Sequence, residues 1–328
     1  MTLLVKYYEL IHDENLKRKA PRYSFISDGL FRMTQPKYLN DKNECKLVPY
    51  FNRFSPADLA WAKKRCCEFH RGPSYEWSDE ELINVFLKPP EKARFGDCFP
   101  SFFKDVTGYN SIEEFDKAEF DSKVKIMNDN LVDILSSWFG VFSLCKTDIN
   151  ELLWTHYASE GKGIAVTFKQ EHDFFKKYAL KDVSYCPDDR ATITYYKGTW
   201  RINGEPLKKF LSSDGKTPDV SKLNEQDLRM IHDRLVFSKG EIWNYEDEAR
   251  ILFSLSLREK IKNDNPEICL IKIPFDAFES IVFGYKTSKQ DKDLIIEKVN
   301  ANPELAHLKL KEVRFNTYGN LETKEFSV

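Results

Sequence analysis

Apolar positions along the chain fall into short β-branched and aromatic runs at both ends and into helically spaced series between them. LLVKYYEL at the N-terminus is followed by polar residues and predicts a strand. Gly29 turns the chain into a second short strand, which Pro36 ends. From about residue 55 the pattern changes. Ser55 and Pro56 read as an N-cap and first helical residue, and Ser78 repeats that logic with acids in the turn that follows. Ile112, Phe115, Phe120, Val124, Met127, Leu131 and Leu135 recur at mostly helical spacings. Residues 52–138 are therefore expected to be largely helical.

Strand character returns in FGVFSLC, residues 139–145. Asp148 is expected to cap a short helix through INELLWTHYA, and GKGIAVTF at 161–168 reads as a strand entered from a tight turn. Residues 186–220, rich in Pro, Gly, Ser and Asp, read as an exposed excursion. LNEQDLRMIHDRLVF then reads as helix, EARILFSL, EICLIKIP and ESIVFG as strands, SKQDKDLIIEKVN as helix and LKLKEVRFN as a last strand. The chain shows no internal repeat. The sum is a single α+β domain over residues 1–328, with a mainly helical insertion at 52–138.

Composition supports a folded chain. The 25 Phe and 15 Tyr supply ample apolar surface although 31% of residues are charged. Fifty Lys and Arg nearly balance 52 Asp and Glu, so there is no global basic field of the kind a general nucleic-acid binder carries. The seven cysteines are scattered without a C-x-x-C pair, which argues against a disulfide framework and a zinc ribbon. With neither a signal-peptide core nor an apolar run long enough to span a bilayer, the protein is expected to be soluble and cytoplasmic.

The stretch KGEIWNYEDEARILF carries the densest chemistry. If it is a strand from Glu246 onward, Glu246, Glu248 and Arg250 share one face, with successive carboxylates roughly 7 Å apart. Carboxylates so placed repel unless a cation intervenes, and Arg250 can supply one in bidentate fashion. The spacing by itself favours a structural ion pair or a solvated face. Trp243 and Tyr245 add flat surfaces suited to a ring or a ribose, or to a core. In LLWTHYASEGKG, Trp154 and Tyr157 lie three apart, and His156, on another part of the helix surface, is a residue type that can serve in proton transfer but is more often structural or exposed. The GKG at 161–163 is too short for a phosphate loop. Lys6 sits on the first strand with Tyr8 beside it and Tyr7 on the opposite face. The six histidines are dispersed, and neither a zinc-helix motif nor a nucleophile elbow occurs.

The succession LVKYYEL, YLND, GVFSL, LLWTHYASEGKGIAVTF, SKGEIWNYEDEARILF and ESIVFGYKTS resembles a widespread bacterial domain-of-unknown-function family. Its motif K-x-x-x-W-x-Y-E-x-E-x-R is matched here by Lys239, Trp243, Tyr245, Glu246, Glu248 and Arg250. More remotely, a basic residue on the first strand, a small-polar central strand and a late E-x-E resemble the three motifs of ADP-ribosyltransferases. That resemblance implies a mixed sheet core of that fold and NAD as substrate. It makes Glu248 the catalytic glutamate and Glu246 its helper. Lys6 and Tyr7, with His156, Tyr157, Trp243, Tyr245 and Arg250, form the implied NAD-binding set, with Lys6 standing where arginine or histidine is usual.

The expected function is that of an NAD-dependent ADP-ribosyltransferase-like toxin or phage-defence effector. Its acceptor is a nucleic acid or a protein, and an antitoxin or regulatory partner fits such a role. Two other readings stay open: a nucleic-acid or nucleotide-binding protein whose charged residues only hold strands together, and a metal-dependent nuclease or hydrolase in which Asp247 or acids from elsewhere join the two glutamates.

Overall fold

The computed structural model describes residues 3–13, 18–21, 23–69, 76–89, 108–210, 232–258, 260–261 and 268–326. The chain mixes helices and sheets as an α+β protein and divides into two compact units, each assembled from separated segments. Residues 1–40, 135–183 and 242–328 make the first, and residues 41–134 and 184–241 the second. The helical stretch expected at 52–138 thus shares a unit with the later segment 184–241 up to Ile134.

The first unit is built on an eight-stranded sheet. Its order is Leu321–Glu325, Lys309–Phe315, Phe278–Phe283, Ile164–Phe168, Leu4–Tyr8, Phe139–Cys145, Glu248–Ser254 and Lys181–Asp182. Every pairing is antiparallel except that of 278–283 with 309–315. The crossover between those two carries the helix Lys289–Asn300, whose N-cap Ser288 accepts from Asp291 N. Alternation sorts the side chains onto two faces. Leu4, Tyr8, Phe142, Leu144, Val166, Ile251 and Phe253 enter one core with Phe25 and Phe31, while Val5, Tyr7, Trp154, Ala165 and Val282 enter another. Each such large side chain contributes about 1.5–3 kcal/mol by leaving water.

The helix Glu151–Tyr157 is capped by Asn150, whose Oδ1 accepts from Leu152 N at 2.9 Å. Asp148 was the expected cap. Its carbonyl instead accepts from the indole of buried Trp154 at 2.7 Å, and its carboxylate accepts from Thr323 at 3.0 Å. The GKG that follows acts through its backbone. Gly161 takes φ +79°, Gly163 N bonds to Ala158 O at 2.8 Å, and Gly284 N bonds to Gly163 O at 3.1 Å. A Cβ on Gly163 would lie 2.1 Å from the Tyr8 carbonyl oxygen. Gly163→Ala is accordingly expected to cost about 1–3 kcal/mol, as overpacked sites do. A chemical-denaturation midpoint equal to that of the wild type would show that the strand can move aside.

The second unit holds a four-stranded sheet in the order Glu205–Pro206, Thr199–Ile202, Thr192–Tyr196 and Val48–Phe51. This corrects the expected excursion over 186–220: its Pro, Gly and Asp residues punctuate strands, and residues 192–195 are buried. Residues 211–220, and the start of the helix expected at LNEQDLRMIHDRLVF, lie outside the described residues, while 232–236 are helical. Pro56–Phe69 and Ile112–Trp138 are helices as expected, and Ser78 forms a capping box with Glu81 ahead of Asp79–Leu82. Phe120 of the long helix packs on Tyr195 and Trp200, and Tyr195 stacks on Phe51.

Candidate functional site

The expected shared face of Glu246, Glu248 and Arg250 does not form. Residues Glu241–Glu246 make a 3-10 helix, Asp247 takes φ +40°, and the strand begins only at Glu248. That left-handed residue breaks the period of two, so Glu246 leaves the strand before the alternation starts. Glu248 and Arg250 do share a face, opposite Cys145 and Ser143 of the neighbouring strand. Both are buried, at 3% and 1% exposure. Arg250 donates to Glu248 through Nε and Nη2, each at 2.8 Å, closing the two-pronged pair that a guanidinium and a carboxylate make best.

Glu246 is buried as well and accepts a hydrogen bond from the Tyr157 hydroxyl at the end of helix 151–157. Asn40 Nδ2 donates to that same hydroxyl oxygen at 2.5 Å. Burial and then the bond to Glu246 raise the phenol's pKa far above its usual value, so Tyr157 stays protonated and donates to the carboxylate. Asn150 secures the arrangement by giving its side-chain N–H to the Tyr245 carbonyl at 2.9 Å. The rings of Trp243, Tyr245, His156 and Tyr157 follow one another with centroids 6.1, 6.2 and 6.4 Å apart. His156 is exposed, and the other three are half-buried. One carboxylate, one phenol and a row of partly open rings form the usual makings of a small-molecule site.

The two first-strand residues part: Lys6 lies elsewhere, whereas Tyr7 belongs to the core against which Tyr157 and Tyr245 pack. Val5 is the partner of Cys145, which pairs in turn with Glu248, so Lys6 projects from the opposite face of the sheet. It is half-buried over the Phe142 ring and donates to the Ser143 carbonyl at 2.8 Å. Val5–Cys145 is the one pairing position between these strands, and Lys6 bridges them where their ladder stops. Tyr7 is a core residue, edge-on to Trp154 with its hydroxyl on the Thr147 carbonyl at 2.7 Å. Asp247, the extra acid of the nuclease reading, turns to Lys146 at 3.4 Å, which also meets Asp182 at 2.8 Å. Burial lowers the Lys146 pKa, and the bonds and charges of these two acids more than offset it, keeping the ammonium charged. Among the described residues no three His, Cys, Asp or Glu side chains gather as a metal would need, and no helix is long and apolar enough to cross a membrane.

Asn40 and Asn150 were not among the candidates. Asn40 belongs to the quoted YLND stretch, so the signal was present, but nothing local shows that its amide reaches a tyrosine 117 positions away.

A row of rings beside a phenol–carboxylate couple on an α+β sheet defines a candidate binding or catalytic site. A family model described as a protein of unknown function, DUF2971, matches residues 153–251, a span that contains Tyr157, Trp243, Tyr245, Glu246, Glu248 and Arg250. Neither the curated proteins nor the solved structures contain a match to this chain.

Proposed function

We propose that the first unit carries an NAD-consuming, ADP-ribosyltransferase-like site that modifies a nucleic acid or a protein. The observation that carries this reading is that the first strand, 4–8, and the strand that follows the late E-x-E, 248–254, flank the same central strand, 139–145, although they are far apart in sequence. The Tyr157–Glu246 couple at the head of the third strand adds the chemistry. In this reading Trp243, Tyr245 and His156 offer faces to the nicotinamide or adenine ring, and Glu246, rather than the Glu248 implied by the resemblance, takes both the ribose and the acceptor side, because both Glu248 oxygens are engaged by Arg250. The bond from ribose carbon to nicotinamide nitrogen breaks, and its electron pair leaves with nicotinamide. A carboxylate favours the positive charge left on the sugar, and the acceptor that bonds to that carbon gives its proton to the carboxylate. Lys6 has no phosphate role here, because its ammonium acts on the other sheet face.

The purified chain should bind NAD by calorimetry and release nicotinamide when an acceptor extract of RNA, DNA or protein is supplied. Lack of NAD binding in the presence and absence of acceptor would overturn the proposal. The buried bidentate Glu248–Arg250 pair favours a second reading, a binding protein in which this pair only holds the strand. That reading expects nucleotide or nucleic-acid binding without nicotinamide release.

A further inference from the structure

Among the described residues of the second unit, the side chains of Asp58, Trp61, Arg201 and Asn203 are buried or half-buried and each keeps a polar atom without a protein partner. Asp58 lies in the first turn of helix 56–69 and is fully buried. Its Oδ2 accepts from Ser55 N at 2.7 Å, Ser55 Oγ at 2.7 Å and Thr194 Oγ1 at 2.6 Å, whereas its Oδ1 has no partner among the described residues. Arg201 is the cross-strand partner of Thr194 and leaves the sheet on the same face. Its Nη1 donates to Gly204 O at 2.6 Å and its Nη2 to Phe86 O at 3.3 Å, and its Nε–H has no partner among the described residues. Asn203 accepts from Thr192 N at 2.8 Å and has its Nδ2 left over. Trp61, one helical turn past Asp58, faces the guanidinium at 4.5 Å, and its indole N–H is also left over.

These residues are drawn to one place by the backbone. A Cβ on Gly204 would lie 2.5 Å from Ala57 O and 2.6 Å from Trp61 Cβ, so the Asn203–Gly204 turn is pressed against the start of the helix. Ser55 Oγ lies 3.1 Å from Thr192 Oγ1, tying the cap of the helix to the strand that Asn203 holds. Burial lowers the Arg201 pKa while the charge of Asp58 acts in the opposite sense, as expected of near neighbours. A buried carboxylate oxygen or guanidinium N–H is destabilised when it lacks a hydrogen-bond partner, so these atoms favour a shared bridging partner.

The donor and acceptor count selects that occupant. An anion would face the Asp58 carboxylate, and a cation would face three N–H donors. Water meets both demands, accepting from two N–H groups with its lone pairs and donating to the carboxylate. We propose that ordered internal water bridges Asp58 Oδ1 to Arg201 Nε and Asn203 Nδ2, making this a water-mediated buried ion pair that joins helix 56–69 to the second unit's sheet. This does not depend on the NAD reading. A crystal structure of the full chain at a resolution that shows ordered water tests it. The expected result is a water peak about 2.7–3.2 Å from Asp58 Oδ1 and from Arg201 Nε or Asn203 Nδ2. Direct contact between Arg201 Nε and Asp58 Oδ1, or a dry site, would overturn it.

Discussion

Replacing Arg250 by alanine is expected to lower the stability of the chain by about 3–5 kcal/mol, the cost of leaving one partner of a buried ion pair alone. Glu248 is 3% exposed and both its carboxylate oxygens accept from Arg250 at 2.8 Å, so the replacement removes two charge-assisted hydrogen bonds from a buried carboxylate and makes its ionised form costly to keep. The strand carrying the pair is next to outermost in the sheet, covered on its outer side only by the two-residue strand Lys181–Asp182. A loss there should expose strand 139–145 as well, which pairs with it along seven positions from Glu248–Cys145 to Ser254–Phe139. Thermal unfolding followed by circular dichroism should show a midpoint lower by on the order of 10 °C. The double replacement Glu248→Leu with Arg250→Met should recover most of that loss, since apolar residues of similar size can substitute for a buried pair. Near-wild-type stability of the single variant would mean that water reaches Glu248.

Glu246→Gln is expected to abolish nicotinamide release, by about a hundredfold or more, with the fold retained. The amide keeps the size of the side chain and can still accept from Tyr157, so the local geometry survives while the negative charge is lost. Tyr157→Phe removes the hydroxyl that joins Asn40 to Glu246 and should reduce turnover more than NAD binding. Glu248→Gln separates the readings, because it weakens the Arg250 contact on the strand. A fall in melting temperature with turnover retained per folded molecule would assign Glu248 to structure, and lost turnover at unchanged stability would restore it to the chemistry. Equal turnover in wild type and Glu246→Gln would remove Glu246 from the mechanism.

The elements that local chemistry specifies were legible in the residues. Ser55–Pro56 and Ser78–Glu81 announce helices because caps are made within one turn, and FGVFSLC and ESIVFG announce strands because both are short, apolar and bounded. The strands at 192–196 and 199–202 were hidden by the turn residues around them, and the missed cap shows how two neighbouring candidates, Asp148 and Asn150, compete on equal local terms. At the site, the E-x-R pair was readable because its partners lie two apart on one strand.

From the amino-acid order alone came the α+β character, the long helices and the Glu248–Arg250 pair, all products of interactions between residues close in the chain. The tertiary structure decided the rest. A single residue at φ +40° moved Glu246 off the strand, the register Val5–Cys145–Glu248 put Lys6 on the far face, and packing brought Asn40 to Tyr157. Register and long-range contact depend on which strands meet, and a one-residue offset sends a side chain to the opposite face, so no local pattern specifies them.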